Sequence, residues 1–354
     1  MHVASAATWR GGQNQVLLTL QGMVSRGHEV ILGCRRGSPL EKRAGAEGLE
    51  VRGLPFRGDL WPPTIVALAR VLRRDRPDAL LLHDPHAVSA GLLAARLAGF
   101  GSLIAVRRVD FPLRGAFSRW KYAACDRVIV VSGAIGAVVE KGGLGPSRRR
   151  LVYEGVPDRI AQPGGREELT ALGIPEGAPV IGNVAALTGH KDHATLVEAM
   201  ALLHARVPEA WLLIAGEGEL RPALESQVRE RGLSDRVVFA GFRRDLDRIV
   251  PAFSVFCLSS HLEGLGTSLL DAMAFARPVV ATAAGGIPEA VQDGVTGRIV
   301  PPRDPVALAD ALAAVLSDDG LRRGFGEAGR RRFLEKFTAD RMVEETLRVV
   351  TELA

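Results

Sequence analysis

The chain has 354 residues, of which 47% are hydrophobic and 24% charged, so its length favours two domains and its composition excludes a disordered chain. No stretch reaches the roughly 18 unbroken apolar residues of a membrane span, and the first residues do not resemble a signal peptide. Cys34, Cys125 and Cys257 are scattered, without the spacing of a metal or redox motif. We therefore expect reduced thiols and a cytoplasmic protein.

The charge is distributed unevenly. Residues 1–150 contain 23 Lys and Arg against 11 Asp and Glu, whereas residues 151–354 contain 22 against 29. A basic first half favours an anionic partner, either a phosphorylated substrate or an anionic membrane surface, and an ordinary arginine-rich surface remains the alternative. No aromatic and basic repeat is present, so we expect no nucleic-acid partner.

Short apolar runs alternate with helical patterns along the first half. The predicted strands are HVAS, HEVILGC, LEVRGL, DALLLHD, SLIAVRR, RVIVVS and LVYEGV, and the first helix is predicted to begin at NQVLL after a loop ATWRGG. This alternation predicts an α/β fold with a buried parallel sheet.

A stretch rich in Pro and Gly, PDRIAQPGGREELTALGIPEGAP, interrupts the pattern and predicts a linker. The strands VIGNVAAL, WLLIAGEG, RVVFAGF, SVFCLSS, PVVATAA and GRIVPP follow, with helices between them and a helical tail. We therefore expect two doubly wound, Rossmann-like domains facing a cleft, over residues 1–160 and 161–335. The helix over 336–354 is expected to be a separate element, with packing against the first domain as an alternative.

Two carboxylates frame a glycine-rich loop in HLEGLGTSLLDAM. Glu263 follows the strand SVFCLSS, and Asp271 lies on the helix that begins near Thr267. Helix N-termini bind phosphate, whereas ionised carboxylates accept hydroxyl hydrogen bonds, so the pattern fits a diphosphate between two polyols, as in a sugar nucleotide. An alternative reading is that Ser268 and Asp271 form only a helix capping box.

The stretch 239–302, FAGFRRDLDRIVPAFSVFCLSSHLEGLGTSLLDAMAFARPVVATAAGGIPEAVQDGVTGRIVPP, resembles the retaining GT-B glycosyltransferases of family 4. The resemblance implies that Glu263 contacts the transferred sugar and that Asp271, where the family has Glu, binds the nucleotide ribose. It also implies a phosphate-binding Lys191, although Ala185 and Ala186 stand where a partner arginine is usual. The remaining donor-binding residues that it implies are Gly11, Gly12, Gly216, Gly264, Leu265, Gly266 and Thr267. Arg243 or Arg10 is the candidate substitute for the missing arginine.

The first domain is expected to bind the acceptor. Its candidates are His86, Arg108 and Asp110, which follow predicted strands, with solvated surface charge as the alternative. The basic, amphipathic stretch LRGAFSRWKYAACD predicts either an ordinary packed helix or peripheral contact with the inner face of a membrane. Asp245-Leu246-Asp247 resembles a metal-binding motif, but Asp245 is predicted to cap a helix. The resemblance implies an enzyme without an essential metal, and we expect no cofactor.

The resemblance implies a retaining hexosyltransferase that moves a sugar from a nucleoside diphosphate sugar, expected to be a UDP-sugar, to a hydroxyl of a glycan or glycolipid. Lipopolysaccharide or surface polysaccharide synthesis is the expected setting. The alternatives are a GT-B sugar-nucleotide epimerase and a non-catalytic sugar-nucleotide sensor or scaffold.

Overall fold

A computed structural model describes residues 1–353, which form two compact units. Unit 1 comprises Met1–Val156 together with the C-terminal segment from Ala339 onward, and unit 2 comprises Pro157–Thr338. The observed limits therefore lie a few residues from those expected at 160 and 335, and the last helix belongs to unit 1.

The strands of unit 1 are β1 (His2–Ala4), β2 (Ile31–Arg35), β3 (Glu50–Leu54), β4 (Leu80–Leu82), β5 (Leu103–Arg107), β6 (Arg127–Val130) and β7 (Arg149–Leu151). They form one parallel sheet in the order β3-β2-β1-β4-β5-β6-β7. The strands of unit 2 are β8 (Val180–Val184), β9 (Trp211–Ala215), β10 (Val237–Gly241), β11 (Val255–Leu258), β12 (Val279–Thr282) and β13 (Gly297–Val300). They form a second parallel sheet in the order β10-β9-β8-β11-β12-β13.

The helices of unit 1 are α1 (Gly11–Val24), α2 (Pro39–Ala46), α3 (Pro62–Asp75), α4 (Pro85–Ala98), α5 (Gly115–Ala123), α6 (Gly133–Lys141) and α15 (Ala339–Thr351). Those of unit 2 are α7 (Gly165–Ala171), α8 (His193–His204), α9 (Arg221–Glu230), α10 (Leu246–Ile249), α11 (Thr267–Ala274), α12 (Ile287–Ala290), α13 (Pro305–Ser317) and α14 (Asp319–Lys336). Of the helices within residues 1–353, none combines the length and the apolar character needed to cross a membrane.

The apolar runs become the centres of the sheets, as expected for parallel strands covered on both faces by helices. Every residue of β4 and β11 is buried. In both sheets the strand order reverses in the middle, between β1 and β4 and between β8 and β11. The loops at the carboxyl ends of such strand pairs are where α/β folds place ligands.

Three local predictions differ from the structure. The seventh strand was expected at 151–156 but lies at Arg149–Leu151, where two consecutive arginines hide the strand pattern. The first helix begins at Gly11 rather than after the glycines, and the predicted linker contains α7. In both cases helix-breaking glycines stand in the first turn, where helices tolerate them better than in the interior.

The C-terminal tail packs against α1. A Cβ atom on Gly22 would lie 2.5 Å from Cγ2 of Val343, so α1 and α15 approach as closely as a glycine allows. Arg26 pairs with Asp340 at 2.9 Å beside this contact. The last helix therefore completes unit 1, although the chain reaches it only after passing through unit 2.

Candidate active site

The backbone around Glu263 is held in place by tight packing. The loop 259–266 connects β11 to α11, and Gly266 (φ 88°) provides the left-handed turn that starts the helix. Gly285 (φ 51°) lies directly against this loop, and a Cβ atom there would overlap the carbonyl oxygen of Glu263. The turn after β12 therefore supports the Glu263 loop, and only glycine permits that approach.

The carboxylate of Glu263 forms an ion pair with the ammonium group of Lys191. Their side chains are 13% and 17% exposed, respectively, so most of this pair is shielded from water. Ser260 Oγ donates a second hydrogen bond to the same carboxylate, at 3.2 Å. The sequence analysis did not identify Ser260, although its position at the strand end is a usable signal.

Sheet topology brings these two loops together. β8 and β11 are adjacent and in register at Val255 and Ile181, so the loops that follow them are neighbours. The amide of His261 donates to the carbonyl of His190 at 3.0 Å, and Ser259 Oγ donates to the carbonyl of Lys191 at 3.0 Å. The predicted Lys191 and Glu263 therefore lie in one constellation at the point where the strand order reverses.

The predicted Gly216 supports the loop after β8. Cβ atoms on Gly216 and Gly218 would overlap the carbonyl oxygens of Ala185 and Leu187, and the Gly216 amide donates to the carbonyl of Gly241 at 2.8 Å. Because Ala185 and Ala186 present no cation, Lys191 is the basic group that this loop brings to Glu263.

Asp271 lies in the second turn of α11, and its side chain is 14% exposed. Burial raises the pKa of its carboxyl group from 3.8 to about 6, opposed by the charge of Arg159 at 3.8 Å. The capping-box alternative is wrong, because Gly266 is the N-cap and no side chain caps the helix. Arg159, which the sequence analysis missed, is a distant partner that leaves the carboxylate oxygens able to accept further hydrogen bonds.

Two predicted donor-binding residues are otherwise engaged. Arg243 donates to Asp245 and, at 2.8 Å, to Glu168, so this guanidinium already has two carboxylate partners in place of a phosphate. Leu265 is fully buried in the core, which leaves only its backbone available to a ligand. Asp245 precedes α10 as expected, but its side chain binds Arg243 instead of capping the helix.

In unit 1, Gly11 and Gly12 form the first turn of α1, directly after β1 and its loop. The Arg10 amide donates to Gln13 Oε1 at 3.0 Å, which fixes the entry to the helix. A Cβ atom on Gly12 would lie 3.8 Å from Cδ of Arg108, so this turn lies beside the predicted acceptor residue.

Arg108 belongs to a buried network. Its Nε lies 3.0 Å from Oε1 of Glu154, and one of its terminal nitrogens lies 3.1 Å from Nδ1 of His83. His83 in turn bonds His2, ring to ring, at 2.8 Å, and burial lowers the pKa of both imidazoles well below 6.5. Arg108 is therefore not a solvated surface charge. The sequence analysis missed Glu154, which neutralises it.

The other acceptor candidates lie near Arg108 in the chain or at the end of β4. His86 is mostly exposed and pairs with Asp59, and its pKa is lowered, mainly by burial. Asp110 is half-buried in the segment after β5. Arg107, the residue before Arg108, is also buried; it donates to the carbonyl of Phe111 and stacks on Tyr122.

Two family models match the chain in succession: a family 4 glycosyltransferase model over residues 9–159 and the model for glycosyl transferases group 1 over residues 166–332. The 2-deoxystreptamine glucosyltransferase of Streptomyces kanamyceticus is 30% identical over 81% of both chains. The chain belongs to the family 4 glycosyltransferases. It is therefore a transferase of glycosyl groups, as the sequence resemblance predicted.

A further relative and a solved structure are also similar to this chain. The lipopolysaccharide core biosynthesis glycosyltransferase LpsE of Rhizobium meliloti is 27% identical over 78% of this chain and 77% of its own. The structure of Anabaena HepE in complex with UDP-glucose matches with a TM-score of 0.89 at 18% identity, covering 99% of this chain and 98% of that one. The predicted GT-B architecture of two Rossmann-like domains is confirmed.

Within residues 1–353, no group of three or more His, Cys, Asp or Glu side chains is arranged to hold a metal ion. The candidate donor site of unit 2 contributes one amine and two separated carboxylates, Lys191, Glu263 and Asp271. Such groups can bind phosphate and hydroxyl groups directly.

Proposed function

We propose that this glycosyltransferase moves a sugar from a UDP-sugar to a hydroxyl group of a glycan or glycolipid, with retention of anomeric configuration and without a metal. The observation that carries the proposal is the shielded Lys191–Glu263 pair at the reversal point of the unit 2 sheet. It combines a cation for phosphate with a carboxylate for hydroxyl groups beside the N-terminus of α11.

Each residue of this constellation has a chemical role. Lys191 donates to the diphosphate, and the first N–H groups of α11 add the partial positive charge of a helix N-terminus. Glu263, whose carboxylate is held by a hydrogen bond from Ser260, accepts hydrogen bonds from hydroxyl groups of the transferred sugar. Asp271, when ionised, accepts hydrogen bonds from the ribose. Lys191 and Glu263 neutralise each other in their ion pair, and each of the two groups can instead bind the donor.

The bond from the anomeric carbon to the diphosphate breaks, and a bond to the acceptor oxygen forms on the same face of the sugar. The acceptor proton passes to the departing diphosphate oxygen, so no separate protein base is needed. Lys191 stabilises the negative charge that develops on the leaving group, which makes its contribution larger in the transition state than in the ground state.

The similar proteins support this choice of donor and setting. The HepE structure holds UDP-glucose, and LpsE is named for lipopolysaccharide core biosynthesis. Thermal shift with UDP, GDP, ADP, CMP and their sugar conjugates, in EDTA and in magnesium, tests the donor. We expect UDP and a UDP-sugar to raise the melting temperature equally in both buffers, because ligand that binds only the folded state stabilises it. A requirement for magnesium, or a preference for another base, contradicts the respective part of the proposal.

Glu263→Gln tests the catalytic assignment, because it keeps the shape of the side chain and removes its charge. We expect transfer to fall at least about a hundredfold, with the fold intact. Glu225→Gln, which removes an exposed acid of α9, is the matched control and should leave transfer unchanged. Near-wild-type transfer by Glu263→Gln would end the assignment. Epimerised donor without acceptor would favour an epimerase, and donor binding without turnover would favour a sensor.

We also propose peripheral membrane contact through α5 of unit 1. Phe117 and Trp120 stack at 5.7 Å, are 44% and 37% exposed, and Arg96 lies over the Trp120 ring. Exposed aromatic rings beside arginine are suited to the interface of an anionic bilayer. Co-sedimentation with phosphatidylglycerol vesicles should fall several-fold in Phe117→Ser with Trp120→Ser, and equal binding by the variant would contradict the contact.

A further inference from the structure

A cavity of unit 2 lies away from the candidate donor residues. It has a volume of about 870 Å³, within the size range of small-ligand sites. Its walls include Ser254 and Pro278, which immediately precede β11 and β12. The cavity therefore opens at the amino-terminal edge of the parallel sheet, whereas Glu263 and Lys191 follow the carboxyl-terminal edge. None of the predicted donor residues lines it.

The cavity has an excess of positive charge. Five arginines line it, against three carboxylates, and we call it the arginine cavity; these residues are Arg166, Arg248, Arg277, Arg322, Arg323, Glu167, Asp319 and Glu327. One of the three acids is already neutralised, because Asp319 forms an ion pair with Arg322. Arg248 has a distant partner outside the cavity lining, Glu168 at 3.8 Å.

Arg166 and Arg277 are fixed by neutral groups only. Arg166 donates to the carbonyl of Ala178 at 3.0 Å, and Arg277 donates to the carbonyls of Phe275 and Phe253 at 3.1 and 3.4 Å. Within residues 1–353, neither guanidinium has a carboxylate within ion-pair distance. Each has five N–H donors, so each retains donors beyond those bonds.

These two arginines repel each other. Both line the same cavity; burial lowers the pKa of Arg277, and the positive charge of Arg166 lowers it further. Like charges that share a cavity are unfavourable unless an anion offsets them. A dianion would offset both charges, and a phosphate monoester carries close to two negative charges at neutral pH.

We propose that the arginine cavity is an anion-binding site in which Arg166 and Arg277 together hold a terminal phosphate group. The planar guanidinium forks match phosphate oxygens in paired hydrogen bonds, which an ammonium group would not do. The site is separate from the donor site, so its ligand binds without displacing a sugar nucleotide. The inference does not depend on the proposed donor or acceptor.

Isothermal titration with pyrophosphate tests the site. The Lys191→Gln variant is used as the background, because it lacks the amine proposed to bind phosphate at the donor site. We expect binding to the Lys191→Gln protein and at least about tenfold weaker binding when Arg166→Gln is added. Arg206→Gln, which removes an exposed arginine paired with Asp310, is the matched control and should bind pyrophosphate unchanged. Arg166 is the better test position, because it makes only one hydrogen bond to the fold.

Vesicles containing phosphatidic acid distinguish a lipid headgroup from a free phosphate compound. Binding of vesicles but not of pyrophosphate, lost in Arg166→Gln, would assign the phosphate to a lipid. Equal binding of both probes by the proteins with and without Arg166, or no binding of either, would overturn the proposal.

Discussion

Replacing Asp271 by Asn should make the protein more stable and its nucleotide binding weaker. The pKa of Asp271 is raised from 3.8 to about 6 by burial. Each pH unit is worth about 1.4 kcal/mol, so ionised Asp271 costs up to about 3 kcal/mol of folding free energy. Between about pH 4 and pH 6 the folded chain holds this proton more tightly than the unfolded chain. The stability that protonation supplies is therefore complete below pH 4 and lost as the pH rises through 6.

The asparagine cannot ionise, so Asp271→Asn should escape that loss. We expect the two proteins to have similar stability near pH 4 and to differ by up to about 3 kcal/mol at pH 8, or roughly 6–12 °C in melting temperature. Melting curves at half-unit pH intervals provide the measurement. If the melting temperatures of the two proteins change with pH in parallel across this range, the reasoning is refuted, because ionisation of Asp271 would then not destabilise the folded protein.

Nucleotide binding should change in the opposite direction. A hydrogen bond to an ionised carboxylate is worth about 1.5–3 kcal/mol, against about 0.5–1.5 kcal/mol for one to a neutral amide. We therefore expect Asp271→Asn to bind UDP at least about tenfold more weakly at pH 8. Greater stability together with weaker binding would show that the carboxylate destabilises the fold but binds the nucleotide. Unchanged UDP affinity would exclude Asp271 from the nucleotide site.

Gly285→Ala should abolish most activity and destabilise the fold by at least about 2 kcal/mol, because the new Cβ would overlap the backbone of the active-site loop. Gly294→Ala, also at positive φ but with open space around it, is the control, and equal effects of the two in urea denaturation and transfer assays would contradict the packing argument. Glu154→Gln should lower the free energy of unfolding by about 3–5 kcal/mol, because it leaves the buried charge of Arg108 without its partner. Glu140→Gln, at an exposed ion pair, is the control and should lower the free energy of unfolding by at most about 1 kcal/mol in the same urea denaturation assay. A loss this small for Glu154→Gln would contradict the argument that Glu154 compensates a buried charge.

The sequence predicted the architecture because parallel strands buried on both faces leave an unmistakable pattern. Runs such as VFCL in β11 are short, continuously apolar and followed by helical spacing. Strands that contain both charged and apolar residues were harder to predict. β7 begins with two arginines and was placed too late, because the apolar run LVY, which starts at its last residue, is the stronger signal.

Residues near strand ends were predictable, whereas their partners were not. Glu263 and Lys191 each follow a strand, and parallel topology places such residues at one edge of the sheet. Their direct pairing depends on β8 and β11 being neighbours, which 72 residues of separation along the chain do not reveal. For the same reason Arg243 was a plausible phosphate ligand in the sequence but pairs with Glu168 in the structure.

By itself, the sequence determined the fold class, the family and the residue types at the candidate donor site, because these depend on local periodicity and on motifs whose spacing is read along the chain. Tertiary structure decided which charges are compensated. Glu154 neutralises Arg108, and Asp271 is buried enough to raise its pKa. Arg166 and Arg277 line one cavity, and neither has a carboxylate of residues 1–353 within ion-pair distance. The physical reason is that electrostatic energies depend on distance and dielectric surroundings, and neither is a property of a residue's position in the sequence.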